Sequence, residues 1–121
     1  MQRSGDTHPR LPLTEAMFQL LLALADGEKH GYAIIKEVRQ RTDGKVRLSA
    51  GTLYGLIKRF IEDGYIVECH ERPDPALDDE RRRYYRLSPS GRALALAEAR
   101  RMEEAVRDAR AKLLPKKPSP V

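Results

Sequence analysis

Tryptophan is absent from this chain, and cysteine occurs once, at Cys69. A lone cysteine excludes an intrachain disulfide and agrees with a reducing compartment, so the expected location is cytoplasmic. Without tryptophan the best ring for stacking a flat ligand is missing, which leaves 5 tyrosines and 2 phenylalanines. Long apolar runs are missing too. The stretch from Ala16 to Ala25 is broken by Gln19 and flanked by charge, so neither a signal segment nor a membrane span is expected. No Ser/His/Asp set, carboxylate pair or glycine-rich phosphate loop has a supporting context, and no enzyme is expected. His8, His30, His70 and Cys69 match the spacing of no common metal site. Cys69 and His70 would face opposite ways on a strand, so no metal or other cofactor is expected.

What is present is charge, unevenly spread. The chain has 121 residues, enough for one domain with room for an appended helix. Its 23 Lys and Arg against 18 Asp and Glu leave a formal charge of +5. That balance favours a polyanionic partner without establishing one. The distribution says more. Asp74 to Glu80 holds four acids and no base, and the next six residues hold four arginines.

The apolar periodicity predicts three short helices, a hairpin and one long helix. Thr14 caps the first helix, which buries Met17, Leu20, Leu21 and Leu24 and stops at Asp26-Gly27. The second runs from His30 or Gly31 to Arg41, with Tyr32, Ile34, Ile35 and Val38 inward. Lys45 to Leu48 is a candidate small strand. Ser49 caps the third helix, whose apolar positions Leu53, Leu56, Ile57, Phe60 and Ile61 recur at three and four, and Gly64 closes it. Tyr65 to Arg72 and Arg81 to Leu87 read as antiparallel strands around a polar loop opened by Pro73 and Pro75. Ser88-Pro89 starts a last helix that runs to about Leu114. On it Ala95, Ala99, Met102, Val106, Ala109 and Leu113 form a stripe with coiled-coil spacing. The expected fold is mainly α with a small β-hairpin: a winged helix-turn-helix over residues 13–87 and a dimerisation helix over 88–114. Residues 1–12 read as a loose arm and 115–121 as a tail with no reason to fold.

A helix that enters the major groove is small or polar at its start and apolar behind. Ser49, Ala50, Gly51 and Thr52 meet the first demand, and Tyr54, Lys58 and Arg59 follow on the outer face. On the returning strand Arg81, Arg83 and Tyr85 share one face and Arg82 lies on the other, so a phosphate backbone could be straddled. Ser49, Ala50, Gly51, Thr52, Tyr54, Lys58, Arg59, Arg81, Arg82, Arg83 and Tyr85 are therefore the expected DNA contacts. The bland reading of the third helix is a solvated face with Tyr54 packed locally. A rival of another class is a winged-helix module whose basic wing holds an acidic protein. Such a surface would more often display large anchors where Ser49 to Thr52 stand.

Four blocks, in order, carry a resemblance to a known family. They are Leu24-Ala-Asp-Gly-Glu-Lys-His-Gly-Tyr32, Leu48-Ser-Ala-Gly-Thr-Leu-Tyr54, Lys58-Arg59 through Glu62-Asp-Gly-Tyr-Ile66, and Arg82-Arg-Tyr-Tyr-Arg-Leu-Ser-Pro-Ser-Gly91. From residue 13 to about 110 the chain resembles the PadR family of bacterial transcription regulators. The resemblance implies that Ser49 to Tyr54 starts the recognition helix and that Tyr54 contacts phosphate. It also implies that Tyr84 to Leu87 is the inner wing strand, and that homodimers bind palindromic duplex operators and usually repress. The short chain resembles the subgroup with a single C-terminal dimerising helix. Some members of that subgroup stack aromatic drugs between tryptophans, which this chain lacks. For a small hydrophobic or aromatic effector the expected lining is Met17, Phe18, Leu21, Met102 and Val106. The same residues equally fit a plain packed dimer interface.

Overall fold

Thr14 starts the first helix as its sequence context predicts: its hydroxyl oxygen accepts the Met17 N–H at 3.1 Å. That satisfies one of the amides a helix start leaves open. The computed structural model describes residues 11–69, 72–73 and 81–115, with the side chains at 72–73 and 81–82 outside the description. In chain order these residues form α1 (Glu15–Ala23), β1 (Lys29–His30), α2 (Gly31–Arg41) and α3 (Ala50–Glu62). Then come β2 (Ile66–Glu68), β3 (Arg72–Pro73), β4 (Arg81–Arg82), β5 (Tyr84–Leu87) and α4 (Pro89–Leu113). Ser49 and Ser88 cap α3 and α4 through their hydroxyls, with Pro89 at the first position of α4. His30 does the same for α2, its Nδ1 accepting the Ala33 N–H at 3.2 Å.

The core gathers the inward faces of these helices over one small sheet. Leu20 and Leu21 of α1, Ile34 and Val38 of α2, and Leu53 and Phe60 of α3 have no exposed surface. Each such side chain contributes about 1.5–3 kcal/mol of burial. The Phe60 ring meets Tyr65 edge to face at 6.0 Å. The antiparallel sheet has the order β1-β5-β2, with Lys29 and Glu68 on either side of Tyr85 and Ile66 opposite Leu87. A separate ribbon pairs β3 with β4, Arg72 opposite Arg82.

Several expectations need correction. Lys45 to Leu48 forms no strand. The Thr42 hydroxyl donates to the Val38 carbonyl at 2.7 Å and accepts the Val46 N–H at 3.0 Å, folding the segment back so that Val46 and Leu48 plug the core. The extra strand is β1, immediately before α2. Tyr32, expected inward, is 63% exposed: the inward face of α2 is made by Gly31, Ile34 and Val38, with Ile35 packed at its edge. The returning strand is interrupted at Arg83, where it changes partners: β4 pairs with β3, β5 with β1 and β2.

The last helix docks by its first half. The Ser88 and Ser90 hydroxyls both donate to the Gly64 carbonyl, at 2.6 and 2.9 Å, and the Ser88 N–H donates to the Tyr65 carbonyl at 3.0 Å. Gly91 sits so close to this turn that a Cβ there would overlap the Tyr65 carbonyl oxygen. Glycine is required by that approach. Arg92 donates to the Ala25 carbonyl at 2.7 Å. With 25 residues α4 is about 38 Å long, and every residue from Glu103 to Pro115 is exposed. The expected arm up to residue 10, the acidic loop 74–80 and the tail from 116 lie outside the described residues.

Candidate nucleic-acid interface

α3 divides cleanly by face. Leu53, Ile57 and Phe60 anchor it, while Ser49, Ala50, Gly51, Thr52, Lys58 and Arg59 are all exposed and Tyr54 is 48% exposed. The Ser49 oxygen accepts the Thr52 N–H at 3.1 Å and its hydroxyl donates to the Thr52 hydroxyl at 3.0 Å. The amides of Ala50 and Gly51 have no acceptor within the helix, and with the helix dipole they favour an anion ahead of it.

Tyr54 is held from behind. A Cβ on Gly31 would overlap the tyrosine hydroxyl oxygen and stand 2.7 Å from its Cζ. The absence of a side chain at Gly31 therefore lets the ring lie across the start of α2. This explains physically why His30-Gly31 and Tyr54 belong together: His30 caps α2, Gly31 makes room, and Tyr54 fills it. The His30 ring also meets Tyr84 edge to face at 5.4 Å.

The returning strand brings only part of its expected set to the surface. Arg83 is exposed, its Nε 3.7 Å from the Glu68 carboxylate across the hairpin. Arg81 and Arg82 lie on β4 by their backbone, and their side chains are outside the described residues. Tyr85, expected outward, is 4% exposed and belongs to the core. Burial, then Glu68 and Tyr54, push its phenol up, and Arg83 acts the other way. The interruption at Arg83 separates two residues that simple alternation places on one face. Glu68, which the sequence did not single out, is a carboxylate that faces Arg83.

The expected effector lining is also redistributed. Met17 is 8% exposed and Leu21 not at all, so both close the core of their own subunit and neither offers a surface to a second chain. Leu20 is fully buried as well, as its place in the apolar stripe of the first helix leads one to expect. Phe18 and Met102 are half-buried and Val106 is exposed. On α4 a shallow apolar depression runs between Ala99, Met102 and Val106, edged by Glu103, Arg107 and Arg110.

A second feature went unread in the sequence. Glu98 is 2% exposed, accepting the Leu13 N–H at 3.0 Å and the Arg101 Nε–H at 2.6 Å. The Arg101 bond, with help from the Leu13 amide, holds its carboxyl below the usual range against the opposing effect of burial. The i,i+3 spacing of Glu98 and Arg101 was the available signal. It marks the anchoring of α4 to the segment before α1. Among the described residues no group of His, Cys, Asp and Glu could hold a metal ion, and no helix is long and apolar enough to cross a membrane.

A helix with a bare, small-residue start, backed by α2 and flanked by a basic hairpin, defines a winged helix-turn-helix protein of the DNA-binding class. Residues 20–97 match the family model described as the transcriptional regulator PadR-like family. The chain belongs to that family, whose members are DNA-binding transcriptional regulators and not enzymes. It is 34% identical over 84 residues, 69% of this chain and 72% of the other, to the transcriptional regulator Rv3488 of Mycobacterium tuberculosis. Among solved structures it is similar to a transcriptional regulator from Clostridium thermocellum. There the identity is 26%, the TM-score 0.65, and the match covers 80% of this chain and 91% of that one. A PadR-like regulator from Bacillus cereus shares the fold with a TM-score of 0.67 at 16% identity, over 84% of this chain and 93% of that one.

Proposed function

We propose that this regulator is a homodimeric repressor of a palindromic duplex operator. Each α3 enters the major groove of one half-site, the pair set about one turn (roughly 34 Å) apart. Ala50, Thr52 and Lys58 read base edges. Ser49, Gly51, Tyr54, Arg59 and Arg83, with Arg81 and Arg82 of β4, hold phosphates. The observation that carries the reading is the start of α3, where small exposed residues and two open amides stand beside a tyrosine braced on Gly31. The dimer rests on α4, whose free half exposes Val106, Leu113 and Leu114 to 51%, 79% and 55%.

Selection from a random duplex library tests the reading: an inverted repeat is the expected product. Recovery of no motif, with equally weak binding everywhere, would leave only a basic patch. The depression on α4 supports a small hydrophobic or aromatic effector, held between paired helices against Phe18, Met102 and Val106. Such a ligand relieves repression only by favouring one separation of the two α3 helices over another. Thermal-shift screening followed by operator titration tests this, and a panel that leaves operator affinity unchanged counts against it.

A further inference from the structure

The outer face of α2 and the turn after it carry cations that no described carboxylate takes up, Arg47 donating by its Nε–H only to the Gly44 carbonyl at 3.3 Å. Cations on the inner side of this region are matched by acids. Lys29 bonds to Asp26 and Glu37 and to the Ala23 carbonyl, and Arg41 is taken up by Glu37 and Gln19. Lys36, Arg39 and Arg47 have no ion-pair partner among the described residues, and all three are exposed. They border an open groove of about 650 Å³ that also contains Tyr32, Ile35 and Asp43. Three cations face a single carboxylate there.

The groove adjoins the start of α3 at both ends. Tyr32 follows Gly31, on which Tyr54 rests, and Arg47 stands two residues before the cap Ser49. Between them α2 runs 11 residues, about 16 Å. We infer that this groove is a second polyanion contact, in which Lys36, Arg39 and Arg47, with the Tyr32 hydroxyl, take the sugar-phosphate backbone along one wall of the major groove that α3 enters. The inference rests on the operator-binding reading and adds to it residues that no motif marked. An acidic protein segment would satisfy the charge equally. Continuity with the start of α3 favours the nucleic acid.

These contacts orient the protein without reading sequence. The test compares full-length wild type with the Lys36→Gln, Arg39→Gln, Arg47→Gln triple variant on the selected duplex and on a scrambled one, over a range of salt concentrations. All three side chains are exposed, and circular dichroism with thermal melting checks that the variant keeps its fold. The expected result is an affinity loss of about tenfold or more on both duplexes at low salt, with a log–log salt slope shallower by about two to three units. The selected motif should be unchanged. Wild-type binding with an unaltered slope in the variant overturns the inference and leaves operator binding standing. So does binding of a polyglutamate peptide that the triple variant loses while its duplex affinity stays intact. A changed motif also overturns it, since that assigns these residues to base reading. Wild type that binds no duplex at all removes the operator reading and this contact with it, and is recognised before any variant is made.

Discussion

Gly31 and Tyr54 form the smallest contact of the candidate interface that can be broken without harming the fold. In Gly31→Ala the new methyl meets the far end of a flexible side chain, so the tyrosine is displaced while the helix start tolerates alanine. Operator affinity should fall by about 1.5–3 kcal/mol, the worth of one hydrogen bond to a charged group, or about 10- to 100-fold. The melting temperature should be unchanged or higher. Tyr54→Phe should cost a similar amount, and the two changes together little more than either alone. Fluorescence anisotropy with a labelled duplex measures all three, and additive losses would show that Gly31 does not act through Tyr54. Gly91 gives the opposite pattern. Its Cβ would strike the Tyr65 carbonyl, which is fixed by the Ser88 N–H. Gly91→Ala should therefore destabilise by about 2–4 kcal/mol in chemical denaturation. Glu98 ties stability to acidity. Its folded carboxyl lies below the ordinary 4.5, so its contribution is complete above that value and is lost as pH falls through the folded value. Glu98→Gln should lower the unfolding free energy at neutral pH, and the gap to wild type should narrow steadily as the solution is acidified below the ordinary carboxylate range. A gap independent of pH would mean that the carboxylate's charge plays no part.

At the scale of elements, the parts set by local chemistry were legible and the parts set by distant partners were not. Thr14, Ser49 and Ser88 announce helix starts because a capping hydroxyl acts within three residues of itself. The buried stripe of α3 follows from spacing alone. β1 did not show, since two residues carry no periodicity and Lys29 and His30 become a strand only by pairing with Tyr85 and Tyr84 far along the chain. Tyr85 was placed on the wrong face because alternation assumes one continuous strand, and the strand changes partners at Arg83. In the candidate site the start of α3 was readable from small and polar residues. The brace on Gly31, the Glu68 contact and the basic groove on α2 depend on tertiary contacts. Met17 and Leu21 show the limit from the other side: an apolar residue on a first helix fits an interface or a core equally well until its neighbours are known. For α4 the element-scale expectation is that Met102→Asp with Val106→Asp yields a folded monomer in light scattering. The wild type should be dimeric at micromolar concentration. A wild-type monomer would instead leave the free half of α4 unexplained.

The whole molecule is a reading head on a lever. Half of α4 is bound to the head by Ser88, Ser90, Gly91 and Glu98, and half stands clear with Val106 and Leu113 uncovered. Pairing of the free halves would fix the distance between two α3 helices, and that distance is what a palindrome with one-turn spacing requires. On the proposed reading, dimerisation and operator choice would be one property, and a change in how the α4 helices pair would be felt at the DNA. Sedimentation of the protein on its selected duplex, beside a duplex that carries a single half-site, measures this most directly. The expected result is two chains per palindromic duplex, bound in one cooperative step, with much weaker binding to the half-site. One chain per duplex, held as tightly by the half-site as by the palindrome, would contradict it.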